Sequence, residues 1–334
     1  MGVIRSRLIE IVRAGEWWEY KLVPIFAVFY ATALSVDMPV SALWRAALTV
    51  LIALVPGAAY VSVINDLTDR EDDLAAGKRN RLANAPAWLG ALLVLVTAGC
   101  GVVIAWLWRH DTLLLTMYLA AWLVYSLYSW PPFRFKTRGL LGVLCDASGS
   151  NLFPALVAVL LAYRGAGRPP NTAWLVAVGA WAFFNGIRGI LWHQLTDLEN
   201  DVRTNVRTFA MRHPPSTTIA IGTWIAFPLE LVALAGVLWQ IRSAWPAAFL
   251  AVYALIATRR LRRFHMNAVV VQPKARYLIV LHEYYDVYLP IAILVASALR
   301  HPRDFIVLAL HGVLFPNRLL QTVRDFARLR RHGW

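Results

Sequence analysis

An all-α, polytopic membrane bundle is the fold class this sequence predicts, and three observations carry the prediction. Apolar residues make up 59% of the 334 positions, against about 45–50% in a soluble domain. They are gathered in blocks, several of them about 20 residues long, the length that crosses a bilayer core as a helix. The 33 basic residues, which leave a net charge of +14, fall mostly in the short segments between those blocks. Helices suit that setting because each satisfies its own backbone hydrogen bonds where no water is present. A net charge this high would suit nucleic acid if it formed one patch. Interleaved with apolar blocks it suits membrane topology and an anionic lipid surface or substrate, and no nucleic-acid partner is expected.

The elements follow in order, within a single domain over 1–334. Residues 1–19 carry Arg5, Arg7 and Arg13 among acidic residues. They show no sustained apolar core and no small-residue cleavage site, so a cytoplasmic segment is expected rather than a cleavable signal peptide. Nine spans are predicted: 20–36, 43–64, 87–108, 112–129, 139–162, 172–195, 216–239, 244–258 and 276–299. The first and eighth are short and extend into polar flanks. Within the segment 300–334, residues 303–318 are apolar but short for a span, and suit an interfacial or additional helix. Cys100 and Cys145 both sit inside apolar blocks and read as small packing residues.

The basic residues set an orientation. With the N-terminus in the cytoplasm, one set of loops holds Lys78, Arg79, Arg81, Arg134, Lys136, Arg138, Arg203, Arg207, Arg212 and the run from Arg259 to Arg276. That side has about 20 basic residues and the other about seven, which places the first set in the cytoplasm.

Two acidic motifs leave spans on that side. The second span ends in VSVINDLTDREDDLAAGKRNR. On a continuous helix, Asn65, Asp69 and Asp73 follow i, i+4, i+8, and Asp66 shares their face. Like charges stacked this closely repel, and a divalent cation between them relieves the repulsion; hard oxygen ligands suit Mg²⁺. The plainer alternative is a solvated acidic loop. The sixth span ends in GIRGILWHQLTDLENDVRTNVRTFA, with Asp197 and Asp201 again four apart. Spans two and six run in the same direction, so both clusters lie at one depth, where two facing carboxylate clusters suit a metal-bridged diphosphate. Between them YSLYSWPPFRFKTRGLLG breaks at Pro131 and Pro132 and continues with Arg134, Lys136 and Arg138. That segment reads as an ordinary positive-inside loop or, beside two carboxylate clusters, as a diphosphate grip.

In combination these segments resemble the UbiA superfamily of intramembrane prenyltransferases and related enzymes. The N-D-x-x-D-x-x-x-D motif with its trailing KRNR, the Y-S-x-P-P-x-R-x-K segment and DLENDVRTNVRTFA occur in the same order, and the resemblance covers nearly the whole chain. It implies a ring of helices around a central cavity, with the polar motifs as a cytoplasmic cap. It implies a Mg²⁺-bound isoprenyl diphosphate whose tail lies in a lipid-facing tunnel. Residue by residue, it implies that Asn65, Asp66, Asp69, Asp73, Asp197 and Asp201 hold metal and diphosphate. Lys78 and Arg81 match the basic residues after the first motif, and Tyr128, Arg134 and Lys136 match the segment between. Where many members open the second motif with Tyr-Asp or Asn-Asp, this chain has His193-Gln194, a departure that bears on the acceptor.

Polar residues inside spans are functional candidates by default. Arg188, with Asn185 one turn away, reads as a catalytic or cavity-facing cation, or as a structural partner of Asp146 or Glu230. His193 and Gln194 read as acceptor contacts or as interhelical hydrogen-bonding groups. His282, Glu283 and Asp286 border either the cavity or the interface. The expected chemistry is loss of diphosphate, its charge neutralised by Mg²⁺ and basic side chains, to leave an allylic cation. Capture by an unknown acceptor makes a prenyltransferase, and capture by an internal double bond makes a membrane terpene cyclase. A non-catalytic transporter would carry its carboxylates near the midplane rather than at span ends.

Overall fold

The computed structural model describes residues 10–75, 77–204 and 206–331. Part of the expected N-terminal segment, with Arg5 and Arg7, lies outside them. The chain is a bundle of helices joined by short loops. A 22-residue helix, α1 (Ala14–Ser35), is followed by α2 (Trp44–Thr68), the short α3 (Arg70–Ala75), α4 (Ala87–Leu107) and α5 (Thr112–Ser129). Next, α6 (Leu140–Ala147) continues through a π turn, Ser148–Leu152, into α7 (Phe153–Gly165). The second half opens with α8 (Thr172–Thr196) and the short α9 (Leu198–Thr204) and α10 (Phe209–Arg212). Another π turn joins α11 (Pro215–Ile221) to α12 (Phe227–Ile241), and α13 (Trp245–Arg263) follows. The last helices are α14 (Leu289–Arg300), α15 (Phe305–Leu314) and α16 (Pro316–Arg331).

Six of the nine expected spans are helices long and apolar enough to cross a membrane: Val40–Thr68, Ala87–Leu107, Thr112–Ser129, Leu140–Gly165, Thr172–Thr196 and Pro215–Ile241. The other three differ for physical reasons. The first expected span is α1, whose opening turns carry Glu16, Glu19 and Lys21. It tolerates them because protein, not lipid, surrounds it: every residue from Leu22 to Leu34 except Pro24 is buried, and α7 and α14 pack along it. The eighth runs on into Arg259–Arg263. The ninth does not begin as a helix. Tyr277–Ile279 pairs in parallel with Asn267–Val269, and a π turn, Tyr284–Tyr288, leads into the 12-residue α14. The stretch 303–318 is split between α15 and α16, which meet at a bend of 86°.

Lipid-facing and protein-facing helices read differently. In α4 the buried positions are Gly90, Thr97, Gly101 and Ile104, one helical stripe of mostly small residues laid against α2 and α5. Leu95 and Val102, on other faces, are 70% and 68% exposed to the surroundings, as expected where lipid completes the packing and small residues let helices approach. A close backbone-to-backbone crossing joins α8 to α6. A Cβ on Gly186 of α8 would stand 2.9 Å from the Ala147 Cα and 3.0 Å from its carbonyl oxygen. Gly186→Ala must therefore push α8 off α6, at a cost of about 1–3 kcal/mol. Thermal unfolding of the purified variant in detergent should show a clearly lowered Tm; an unchanged Tm would mean the crossing is slack.

Candidate active site

Both acidic motifs adopt the same backbone. The sequence suggested one continuous helical face, but each long helix stops at an aspartate, Asp69 in the first motif and Asp197 in the second. Asp69 caps α2 with φ −104° and ψ 5°, and Asp197 caps α8 with φ −91° and ψ 0°. A short helix, α3 or α9, then carries the second aspartate. The hydrogen bonds repeat one for one. Asp69 N–H donates to the Asn65 carbonyl (2.9 Å) and Asp197 N–H to that of His193 (3.0 Å). Asp73 donates to Asp69 (2.7 Å) and Asp201 to Asp197 (3.0 Å), then Lys78 to Asp73 (2.8 Å) and Val206 to Asp201 (3.0 Å). The side chains follow suit: Asp73 Oδ2 accepts from Asn80 Nδ2 at 2.9 Å, and Asp201 Oδ2 from Thr208 Oγ1 at 3.0 Å. The signal was present in the sequence as the repeated Leu-Thr-Asp-x-Glu-x-Asp of 67–73 and 195–201.

The two ends meet on one side of the bundle. Lys78 Nζ donates to Asp197 Oδ2 at 3.1 Å, and α3 packs against α9. Between them is a cavity of about 140 Å³ lined by Asp69, Asp72, Asp73, Asp197 and Asp201, together with Lys78, Tyr128, Lys136, His193, Gln194 and Thr208. Asp72 was not among the sequence candidates; the break at Asp69 turns it inward. The segment after α5 supplies the cations. Arg134, in a left-handed conformation at φ 40°, reaches Asp69 at 3.0 Å and Asp72 at 2.6 Å, and Lys136 also pairs with Asp69. Burial draws the Lys136 ammonium below the ordinary lysine range, with Asp69 opposing. Burial likewise pushes the Asp201 carboxyl above the usual carboxylate range, against the Thr208 hydroxyl and Lys78.

Most other candidates stand elsewhere, Gln194 of the cavity wall excepted. Asn65 Oδ1 accepts from the Ser129 hydroxyl, and Asp66 is buried, accepting from the Arg81 backbone N–H at 3.3 Å with Arg13 at 3.6 Å. Neither lines the cavity; they pin α2 to α5 and to the loop after α3. The Arg81 side chain turns to Glu16. Gln194 Oε1 accepts from the Ala210 N–H at 3.2 Å, which ties α10 to α8. Arg188 and Asn185 lie deeper. Arg188 is buried in a two-pronged pair with Glu230, at 2.6 and 2.8 Å, and also donates to the Val280 carbonyl and Asn185. Tyr285 donates to the same Glu230 at 2.7 Å. Arg188 thus has the structural partner that the sequence offered, Glu230 rather than Asp146, and it also lines a second cavity, as the cavity-facing reading expects.

A second cavity, of about 750 Å³, adjoins the first across Ile190 and His193. Lys21, Asp146, Asn185, Arg188, His282, Glu283 and Asp286 line it, and Arg318, Gln321, Thr322 and Asp325 of α16 lie across its mouth. Asp325 pairs with Arg260 at 2.8 Å, Thr322 donates to Glu283 at 2.7 Å, and Arg318 pairs with Asp286 at 3.1 Å.

The first cavity suits a magnesium diphosphate by donor chemistry. Its acids are hard oxygen ligands, its cations are suited to phosphate oxygens, and the Arg134 Nε is a buried donor with no partner among the described residues. No three His, Cys, Asp or Glu side chains among the described residues converge to enclose an ion by themselves. Asp69 is drawn to Arg134 and Lys136, and Asp197 to Lys78. Mg²⁺ is normally held by one or two carboxylates, water and substrate phosphates rather than by an all-protein cage.

The fold and sequence have relatives. Solved structures of a UbiA homolog from Archaeoglobus fulgidus, one bound to GPP and Mg²⁺ and one to DMAPP and Mg²⁺, superpose with TM-scores of 0.56 and 0.52. They are 18% and 16% identical to this chain, over 91% and 96% of it and 99% and 98% of the homolog. A lycopene elongase/hydratase of Halobacterium salinarum is 28% identical over 66% of this chain and 76% of its own length. A protein of the same name from Haloferax volcanii is 27% identical over 60% of this chain, which spans 64% of that relative. The UbiA prenyltransferase family pattern matches residues 22–283. By its helical fold, its membrane-length helices and that match, the chain is an integral membrane protein that belongs to the UbiA prenyltransferase family.

Proposed function

We propose that this protein is a magnesium-dependent prenyltransferase that ionises an isoprenyl diphosphate in the smaller cavity and passes the prenyl group to an acceptor in the larger one, within a single domain. The observation that carries the reading is the convergence of two matching aspartate breaks on one cavity with Lys78 and Lys136. The substrates and ion of the Archaeoglobus fulgidus homolog support it. Asp69, Asp73, Asp197 and Asp201 are the residues that would hold Mg²⁺, which when bound would offset the leaving group's negative charge. Lys78, Arg134 and Lys136 hold the phosphate oxygens as the allylic C–O bond breaks, and Tyr128 forms part of the wall. The basic loops beside the motifs support a cytoplasmic site.

An acceptor, rather than internal cyclisation, is favoured by the second cavity: its volume exceeds that of the first severalfold, and its wall carries charged side chains that a hydrocarbon cation alone would not need. The test is pyrophosphate release from geranyl diphosphate by purified protein. A chelator should lower the rate on the order of a hundredfold or more, and added Mg²⁺ should restore it. Full turnover in metal-free buffer would refute the mechanism.

A further inference from the structure

Lys21 and Asp146 are opposite charges inside the bundle that face one cavity without forming an ion pair. Lys21 Nζ donates to Ser150 Oγ at 3.2 Å and Asn151 Oδ1 at 3.0 Å. Among the described residues Asp146 Oδ2 accepts only from Ser150 Oγ, at a long 3.5 Å, and that hydroxyl's one proton is shared with Asn151 Oδ1 at 2.5 Å. Arg188, a cation whose sequence position suggested it for Asp146, is committed to Glu230. An ammonium has three donors and a carboxylate about four acceptor sites, so both groups keep unused capacity. Charges this deep in a bundle are costly unless paired or serving a site. Here Ser150 stands between them instead of direct contact.

The backbone is built for that gap. Ser150 and Asn151 lie on the π turn Ser148–Leu152 between α6 and α7. An α-helix widened by one residue re-aims its side chains, and such turns are frequent at functional sites. Asp146, at the end of α6, lines the same cavity as Lys21, Asn151 and His193, and His193 also lines the diphosphate cavity.

We infer that Lys21 and Asp146, held apart by Ser150, form a binding site for a hydroxyl group, with Asp146 as the base that takes its proton. This rests on the prenyl-transfer reading above. A hydroxyl is the group that accepts from an ammonium and donates to a carboxylate at once. A carboxylate ligand would be repelled by Asp146, and a hydrocarbon would leave both charges unsatisfied. The prenyl carbon loses diphosphate, which departs with the electron pair of the broken C–O bond. The hydroxyl proton passes to the Asp146 carboxylate. The freed oxygen pair then forms a C–O bond directly, when the hydroxyl belongs to water or an alcohol. In a phenol it feeds a ring carbon that forms the C–C bond, and that carbon's proton then passes to the phenol oxygen as the ring regains aromaticity, leaving the one net proton on Asp146. Asp146 thus touches the reacting group, while Lys21 orients it and Ser150 keeps the two apart.

The experiment compares the parent with Asp146→Asn, Lys21→Met and Ser150→Ala, each purified with Mg²⁺ and geranyl diphosphate. One arm uses ¹⁸O-labelled water alone, the other adds 1-naphthol as a phenolic probe. Pyrophosphate and organic product are measured in the same tube. The parent should give labelled geraniol in the first arm or prenylated naphthol in the second, which identifies water or phenol as the hydroxyl source. In Asp146→Asn the ratio of that product to pyrophosphate should fall about a hundredfold or more, the usual worth of a general base. In Ser150→Ala, which keeps both charges and serves if Asp146→Asn folds poorly, the KM for naphthol should rise more than kcat falls. Unchanged product-to-pyrophosphate ratios in folded variants overturn the inference, as does a parent product that is a hydrocarbon. A parent that releases no pyrophosphate overturns the prenyl-transfer reading itself, and this inference with it.

Discussion

Asp69→Asn and Asp201→Asn should each yield a folded protein whose pyrophosphate release from geranyl diphosphate falls by about three orders of magnitude, or roughly 4 kcal/mol of transition-state stabilisation. Asparagine keeps the size of the side chain and removes the charge. At position 201 it still offers an oxygen to the Thr208 hydroxyl, whose present bond is 3.0 Å, so the loop after α9 stays in place. At position 69 the cations it releases remain partly held, because Arg134 also reaches Asp72. The lost term is therefore the carboxylate's attraction for a cation bridging to phosphate. On the proposed function the tail would bind through apolar contacts elsewhere, so kcat should fall far more than KM rises. Solvated acids with no site would predict the reverse: neutralising one of five carboxylates around one cavity relieves repulsion and leaves activity intact. The check is pyrophosphate release alongside a thermal-shift measurement, and folded variants with the parent rate would refute both motifs together.

Breaking the Arg188–Glu230 pair should have the largest effect on stability. Both side chains are nearly inaccessible, 3% and 0% exposed, so removing one partner leaves the other charged and buried. Glu230→Ala is expected to cost about 3–5 kcal/mol and to leave little folded protein. Arg188→Ala should cost somewhat less, because Tyr285 still donates to Glu230. Replacing both with apolar residues of similar size, as in Arg188→Met with Glu230→Leu, should recover most of the loss. Activity separates the roles. If the pair only fastens α8 to α12, the stable double variant turns over geranyl diphosphate near the parent rate. If that variant is stable but inactive, Arg188 contacts substrate from the wall of the larger cavity.

What could be read from the chain depended on where the solvent was lipid. The span at 87–108 was legible because nearly every face of α4 but one narrow stripe meets hydrocarbon, so its composition is apolar throughout. The span at 20–36 looked short because α1 is wrapped by protein and need not be apolar at its start, where Glu19 accepts from Asn317 and Arg318 at the foot of α16. The ninth span was misjudged in its opening turns: 276–281 is apolar enough for a helix, but its backbone pairs with Asn267–Val269. At the site, the residue types were legible and their directions were not. Neither glycine nor proline marks the helix ends at Asp69 and Asp197, so a continuous helix put Asp66 with the cluster and left Asp72 out. The basic segment after Pro132 was open to two readings in the sequence, and the contacts of Arg134 and Lys136 with Asp69 join it to the carboxylates.

The matched pair of α2 with α3 and α8 with α9 means that the chain contains two drafts of one device, and the edits between them mark where the site is lopsided. Both drafts keep the Leu-Thr-Asp-x-Glu-x-Asp core. Where the first has Asn65 and Asp66, the second has His193 and Gln194; where the first has Lys78, the second has Val206. The lysine that only one draft retains crosses over to the aspartate of the other. His193, present only in the second, lines both chambers together with Ile190. On the prenyl-transfer reading, a charged phosphate end would therefore meet unlike neighbours on its two sides: a cation supplied by the first half, and an imidazole from the second that faces the room proposed for the other reactant.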